Sequence, residues 1–119
     1  MLFKHVVIPT EDPITQLTYN DEEVYDIVLD TTVDEPINIT CTVKGSFPDP
    51  ASIDWNFSPE FYSQNVISNP DGVTFDLIVN AQFVVSRVQS PGVPLVCIGS
   101  NEFGEYPPSY VWLNVFGKY

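Results

Sequence analysis

The sequence predicts an all-β fold in which two antiparallel sheets pack face to face as a Greek-key sandwich. Short runs that alternate apolar and polar residues are separated by turn residues, at the spacing typical of such sandwiches. The 11 prolines favour many turns, and no apolar run has reliable helical spacing. Two cysteines, Cys41 and Cys97, lie in strand-like runs on either side of Trp55. These observations together point to two sheets around one core.

The chain is long enough for one domain and too short for two, at 119 residues. We predict an acidic N-terminal arm or interdomain linker over residues 1–23, a domain over residues 24–116 and a C-terminal linker remnant over residues 117–119. An additional edge strand within the arm is left open. Met1 to His5 leads into only three apolar residues before Pro9, which is unlike a signal peptide.

The first strands are predicted from their alternation. Residues 24–29 form one strand, and residues 37–43 form another whose inward side chains include Cys41. In residues 53–57 the same alternation directs Trp55 inward. Residues 58–68 are expected to be irregular.

The later strands follow turn signals. The Asn69–Gly72 turn precedes a strand over residues 73–79, and Asn80 with Ala81 is expected to reverse the chain into a strand over residues 82–88. Residues 95–99 and 110–116 form the last hairpin, turning at residues 101–104. This completes the strands of the predicted sandwich.

The two inward cysteines are either a disulfide or two buried thiols. Their shared inward phase and the tryptophan between them favour the disulfide, which would imply an oxidising compartment. A disulfide in a chain without a signal peptide indicates a fragment of a longer secreted or membrane-anchored protein.

The charge balance excludes some partner classes. Lys and Arg number 4 against 16 Asp and Glu, a formal net charge of −12. We therefore expect no nucleic-acid partner and no attraction to anionic membranes, and no stretch approaches membrane-spanning length. Acidic residues are concentrated near the N-terminus, either as a solvated arm or as a docking element for a basic protein surface.

The sequence lacks the side chains that catalysis and metal binding require. The one histidine, His5, lies in the arm, and both cysteines are assigned to the core, so we expect no enzyme. One His and two paired Cys do not form a zinc site, and the acidic residues 21–26 lack the spaced calcium loop. We expect no metal and no cofactor.

Two sequons predict N-glycosylation at Asn38 and Asn56, each at an outward position of its strand. Such triplets also arise by chance, and Pro59 directly follows the second sequon.

A candidate protein-binding face follows from strand phase. If Val111 and its neighbours two residues apart face the core, Tyr110 and Trp112 face outward, together with Val96 and Ile98 on the adjacent strand. Exposed aromatic and aliphatic clusters of this kind indicate a protein interface. The alternative is that the arm or a neighbouring domain covers them.

Three groups of residues carry a family resemblance. They are Gly45, Pro48, Pro50, Ile53 and Trp55; Phe83, Val85 and Val88; and Cys97, Asn101, Gly104, Leu113 and Val115. Over residues 24–116 the chain resembles an I-type immunoglobulin domain. It departs where Leu95 replaces the tyrosine that the family usually has two residues before the second cysteine, so the usual tyrosine corner is not expected over residues 89–94.

The resemblance implies an immunoglobulin-like sandwich with one inter-sheet disulfide between Cys41 and Cys97. It further implies an extracellular recognition module of a cell-adhesion molecule or receptor, with a protein partner and a possible homophilic dimer. Two alternatives stay open: a spacer domain of an intracellular muscle-type array, and a ligand-binding module of a growth-factor or cytokine receptor.

Overall fold

The computed structural model describes residues 13–86 and 94–117, and in these residues it contains ten strands and no helix. The strands are β1 (Ile14–Tyr19), β2 (Glu22–Val24), β3 (Val28–Thr32), β4 (Pro36–Ser46), β5 (Ser52–Trp55), β6 (Phe61–Ser68), β7 (Phe75–Val84), β8 (Pro94–Asn101), β9 (Gly104–Glu105) and β10 (Ser109–Phe116). The prediction of an all-β fold is confirmed.

The strands form two sheets that pack against each other. One sheet has the order β2-β1-β4-β7-β6 and the other the order β3-β10-β8-β5, with β9 paired to β8. Along the described strands the chain changes sheet at every connection from β2 to β6, and again between β7 and β8. The predicted immunoglobulin-like sandwich is therefore confirmed, with one detail that alternation alone did not predict: β3 pairs with β10 in parallel.

The core lies between the sheets and is held by one disulfide. Cys41 on β4 and Cys97 on β8 are fully buried and bonded, with their Cα atoms 6.6 Å apart. Their strands bury alternate side chains, as the sequence predicted. The buried apolar residues of β4, β7, β8 and β10 are Ile37, Ile39, Cys41, Val43, Leu77, Val79, Ala81, Phe83, Leu95, Cys97, Val111, Leu113 and Val115.

Trp55 faces this core from β5, directly beside Cys97 on β8. Its ring meets Phe83 edge-on, with the ring centroids 4.9 Å apart. The indole is half-buried because β5 is the last strand of its sheet in the described part of the chain, and a groove of about 260 Å³ separates it from β6. The inward direction predicted for Trp55 is confirmed.

The boundary predicted at residue 24 leaves out part of the sandwich. β1 lies within the segment predicted as an arm, pairs with β4 and places Leu17 opposite Cys41. Leu17 is 0% exposed and belongs to the core cluster. Because its neighbours Gln16 and Thr18 are polar and face outward, a single core residue carried too weak a hydrophobic signal to identify the strand. The first 12 residues and residues 118 and 119 lie outside the described residues.

The strand predicted over residues 24–29 is interrupted. β2 ends at Val24, and Asp26 adopts a left-handed conformation with φ 55°, which an aspartate tolerates better than most residues. β3 begins only at Val28 and belongs to the opposite sheet. The left-handed Asp26 thus lies where the chain leaves one sheet for the other.

The reversal predicted at Asn80 and Ala81 is wrong, because β7 continues through both residues. Asn80 faces outward, where its Oδ1 accepts a hydrogen bond of 2.7 Å from the Thr40 hydroxyl. Ala81 keeps the inward phase and is buried. The turn-forming tendency of asparagine is outweighed here by pairing with β4.

The segment predicted as irregular over residues 58–68 contains β6, which pairs with β7 along its whole length. The two strands are joined by the turn predicted at residues 69–72, where Gly72 has a φ of 75°. The predicted Val88 and most of the predicted turn at residues 89–94 lie outside the described residues.

Gly99 provides the space for a close approach between the sheets. A methyl group on its Cα would lie 2.5 Å from Cγ2 of Val43 and 3.2 Å from Oγ1 of Thr15. Val43 is fully buried and has little freedom to move. β8 therefore requires glycine at this inward position.

Candidate protein-binding face

The predicted binding residues lie on the outer face of the sheet β3-β10-β8-β5. Tyr110 pairs with Val96, while Val111 and Leu95 point to the opposite side and are fully buried. Ile98 follows Val96 on the same side of β8. The structure therefore brings together all four residues that strand phase selected, and each of them is half-buried.

Two further residues, from the β2–β3 connection and β3, extend this surface. Tyr25 packs against Tyr110, with ring centroids 5.1 Å apart, and Val28 pairs with Trp112 in the parallel register of β3 and β10. Both are more than half exposed, at 55% and 53%. We refer to these residues as the aromatic face, and its members are Tyr25, Val28, Val96, Ile98, Tyr110 and Trp112.

The aromatic side chains hold one another in place. Tyr110 contacts Trp112 edge-on, with centroids 6.0 Å apart and planes at 86°, an arrangement that aromatic quadrupoles favour. Tyr25 is tilted against Tyr110, so the three rings form a row of contacts in which Tyr110 is shared. The three rings contact one another in the unbound chain, so binding a partner would not require these side chains to become ordered.

Asp26 fastens the β2–β3 connection to this row. Its carboxylate accepts a 3.0 Å hydrogen bond from the Trp112 indole N–H, and its own backbone N–H donates to the Tyr110 carbonyl at 3.0 Å. The Trp112 backbone N–H donates to the Ile27 carbonyl at 2.8 Å. The β2–β3 connection therefore borders and partly covers the face. Covering by the predicted arm or by a neighbouring domain stays a prediction.

The environment of Tyr110 keeps its hydroxyl protonated. Its pKa is raised, first because neighbouring atoms displace water, and then because the Asp26 carboxylate and the Tyr25 hydroxyl lie close to it. Ionising Tyr110 would place a second negative charge beside Asp26. Tyr110 is therefore a neutral hydrogen-bonding group across the physiological range.

Carboxylates border the aromatic face on both sides. Asp30, on β3, accepts a 3.2 Å hydrogen bond from the Asn114 side chain on β10. On β5, Asp54 is exposed and pairs with Ile98. With Asp26, these carboxylates give an aromatic centre a negatively charged rim.

The two predicted glycosylation sites differ in their surroundings. Asn38 is exposed on β4, in the sheet opposite the aromatic face, and its Oδ1 accepts a 3.3 Å hydrogen bond from Gln82. Asn56 is exposed, but its Nδ2 donates to the Pro94 carbonyl and its Oδ1 accepts from the Val96 N–H, both at 2.7 Å. The nitrogen that a glycan would modify on Asn56 is thus held against the β8 backbone, so Asn38 is the better candidate.

The described residues hold neither a cluster of metal ligands nor a helix able to span a membrane. Within residues 13–86 and 94–117, no three His, Cys, Asp or Glu side chains are grouped as a metal site. No helix in that part of the chain is long and apolar enough to cross a membrane. His5, the residue considered for catalysis, lies outside the described residues.

Sequence similarity does not assign the chain to a family. No model of a known protein family matches it, and no curated protein matches its sequence. The architecture therefore rests on the strand order and the disulfide, and the I-type resemblance remains a prediction.

Proposed function

We propose that this chain is an extracellular protein-recognition module of a cell-adhesion molecule or receptor, and that it binds its partner through the aromatic face without catalysis. The observation that carries the proposal is the row of Tyr25, Tyr110 and Trp112 on the outer side of a sheet. Tyrosine and tryptophan are the residues most often found as energetic anchors of protein interfaces, because they bury a large area with few rotatable bonds.

The charge around the face indicates the kind of partner. Asp26, Asp30 and Asp54 lie on its border, in a chain whose net charge is −12. A partner with basic residues around an apolar centre would complement this arrangement and would be attracted over long range. The same kind of partner, a basic protein surface, is one of the two interpretations of the acidic residues near the N-terminus.

The disulfide and the position of Asn38 support the extracellular assignment. A structural disulfide is typical of oxidising compartments. A glycan on Asn38 would lie on the β4 sheet and leave the aromatic face free, because the two lie on opposite sheets.

The proposal is tested by partner selection followed by substitution. The chain, displayed in multivalent form, is screened against a panel of cell-surface ectodomains, and affinities of the hits are measured for Trp112→Ala and Tyr25→Ala. Trp112→Ala should weaken binding by more than about 2 kcal/mol, the loss typical of an interface anchor. Tyr25→Ala should weaken binding with little change in stability, because Tyr25 is mainly exposed.

Phe103→Ala provides the matched control. Phe103 lies in the turn between β8 and β9 and is 76% exposed, so its removal deletes an accessible aromatic ring that is not a member of the aromatic face. Its affinity should equal that of the wild type. Equal affinities for Trp112→Ala, Tyr25→Ala and Phe103→Ala would contradict binding through the aromatic face.

A further inference from the structure

β6 is a long edge strand with an unusual surface. All eight residues of Phe61–Ser68 are exposed, and in the described part of the chain β6 hydrogen-bonds only to β7. Half of its residues are large and apolar, and they are Phe61, Tyr62, Val66 and Ile67, exposed by 70%, 66%, 47% and 39%. An open edge of this kind presents unpaired backbone N–H and C=O groups to other strands.

β6 also has no charged side chain, whereas the other strands at the sheet ends are acidic or short. β2 consists of Glu22, Glu23 and Val24; β3 contains Asp30; and β5 has four residues, including Asp54. Natural proteins protect sheet edges with charges, prolines or short strands. β6 has none of these protections over eight residues.

The distribution of charge indicates which sheet edge two copies of this chain could share. Two copies of a molecule with a net charge of −12 repel each other, and pairing through β2, β3 or β5 would place carboxylates close together. At β6 the electrostatic repulsion between two copies is smallest, because no carboxylate lies on the strand. The same edge on each copy is also what a two-fold symmetric interface requires.

We propose that two copies of this chain associate through β6, with their strands antiparallel around a two-fold axis at Gln64. Each β4-β7-β6 sheet would then continue into that of the second copy. The proposal is independent of the aromatic face, which belongs to the other sheet.

The register follows from which residues face the same side. Tyr62 and Val66 pair with the inward-facing Ala81 and Leu77 of β7, so they share the inner side of β6, whereas Phe61 and Ile67 lie on its outer side. Antiparallel pairing centred on Gln64 places Phe61 opposite Ile67 of the second copy. It also places Tyr62 opposite Val66 of the second copy.

This register leaves no large apolar residue of β6 unmatched. Aromatic residues opposite β-branched residues are favourable cross-strand pairs. Shifting the centre to Asn65 would instead place Tyr62 opposite Ser68 and Ile67 opposite Ser63. Pairing around Gln64 would add about six to eight backbone hydrogen bonds between the copies.

The first experiment is sedimentation equilibrium of the chain from low to high micromolar concentration, comparing Gln64→Glu with Gln16→Glu. Both substitutions are nearly isosteric and change the net charge equally, but Gln16 lies on β1, away from the edge. The wild type and Gln16→Glu should form dimers. Gln64→Glu should raise the dissociation constant by at least about tenfold, because it places two carboxylates opposite each other.

The second experiment tests the register by cross-linking. Directly opposed residues in an antiparallel pair have Cα atoms about 4.5–5.5 Å apart, a separation compatible with a disulfide. Gln64→Cys should therefore form a covalent dimer under mild oxidation, and Gln16→Cys should not.

Circular dichroism on every variant verifies the fold. A chain that stays monomeric at all concentrations would overturn the proposal. So would a dimer equally stable in Gln64→Glu and Gln16→Glu, or one that Trp112→Ala dissociates and Gln64→Glu does not.

Discussion

β6 and β7 are paired, but apolar side chains are buried on β7 and exposed on β6. On β7, Leu77, Val79, Ala81 and Phe83 are at most 3% exposed. On β6, Val66 lies directly beside Leu77 and also points to the inner side, but it is 47% exposed. Burial is therefore decided by what the opposite sheet covers.

The covering strand explains the difference. β7 lies in the middle of its sheet, whereas β6 is at the end, opposite β5 with only four residues. A groove between β5 and β6 leaves the inner side of β6 accessible. We infer that the central strands provide stability, while β6 and the aromatic face remain available for contacts with other molecules.

Removing the disulfide should have the largest effect on stability, because it joins the two sheets across the buried core. Replacing both Cys41 and Cys97 by alanine should reduce the free energy of unfolding by about 4 kcal/mol, since the bond closes a long loop in the unfolded chain. Denaturant titration of the double variant against the wild type measures the loss. A change below about 1 kcal/mol would contradict a structural role for the bond.

Leu17→Ala and Val66→Ala compare the two regions directly. Leu17→Ala removes a fully buried side chain from β1 and should cost about 3 kcal/mol of unfolding free energy. Val66→Ala should cost less than about 0.5 kcal/mol in the monomer, because its site is open to water. Both values come from denaturant unfolding at low protein concentration, and similar losses would show that β6 is buried in solution.

The smallest effect is expected at Asp71, in the turn that joins β6 to β7. Its carboxylate accepts hydrogen bonds from the backbone N–H groups of Val73 and Thr74, each 2.9 Å long, and from the Thr74 hydroxyl. The Thr74 and Val73 backbone bonds and the Thr74 hydroxyl lower the pKa of Asp71, despite slight desolvation. The resulting stabilisation is complete above the ordinary carboxyl pKa and is lost as the pH falls through the lowered value.

Asp71→Asn provides the test, because it removes the charge and keeps the shape. Its free energy of unfolding should be lower than that of the wild type at neutral pH, and the difference should shrink in acid. The measurement is denaturant unfolding at neutral pH and at a pH below the ordinary carboxyl range. A difference that does not change with pH would exclude the proposed role of the charge.

The central strands could be predicted from the sequence because each buries one side and exposes the other. Cys41, Trp55 and Cys97 all follow this two-residue period, so the sequence alone predicts that they face inward. The same period placed Tyr110 and Trp112 on the outer side of β10. In the core strands, the residues that alternation predicts to face inward are the residues that the structure buries.

The remaining features depend on contacts between distant segments. β6 has no alternation because both of its sides are exposed, and β1 contributes one core residue among polar neighbours. Tyr25 reaches the aromatic face only because Asp26 turns the chain between two sheets. At Asn80, however, the phase of Val79, Ala81 and Phe83 continues unbroken, so the sequence contained the correct signal.

The oxidation state of Cys41 and Cys97 in the natural protein tests the central claim most directly, because the proposed extracellular role depends on it. The protein should be taken from its own compartment, alkylated without reduction, digested and analysed by mass spectrometry. We predict one linked peptide pair joining Cys41 to Cys97 and no alkylated cysteine. Two alkylated thiols would contradict the extracellular assignment and would favour the intracellular spacer domain.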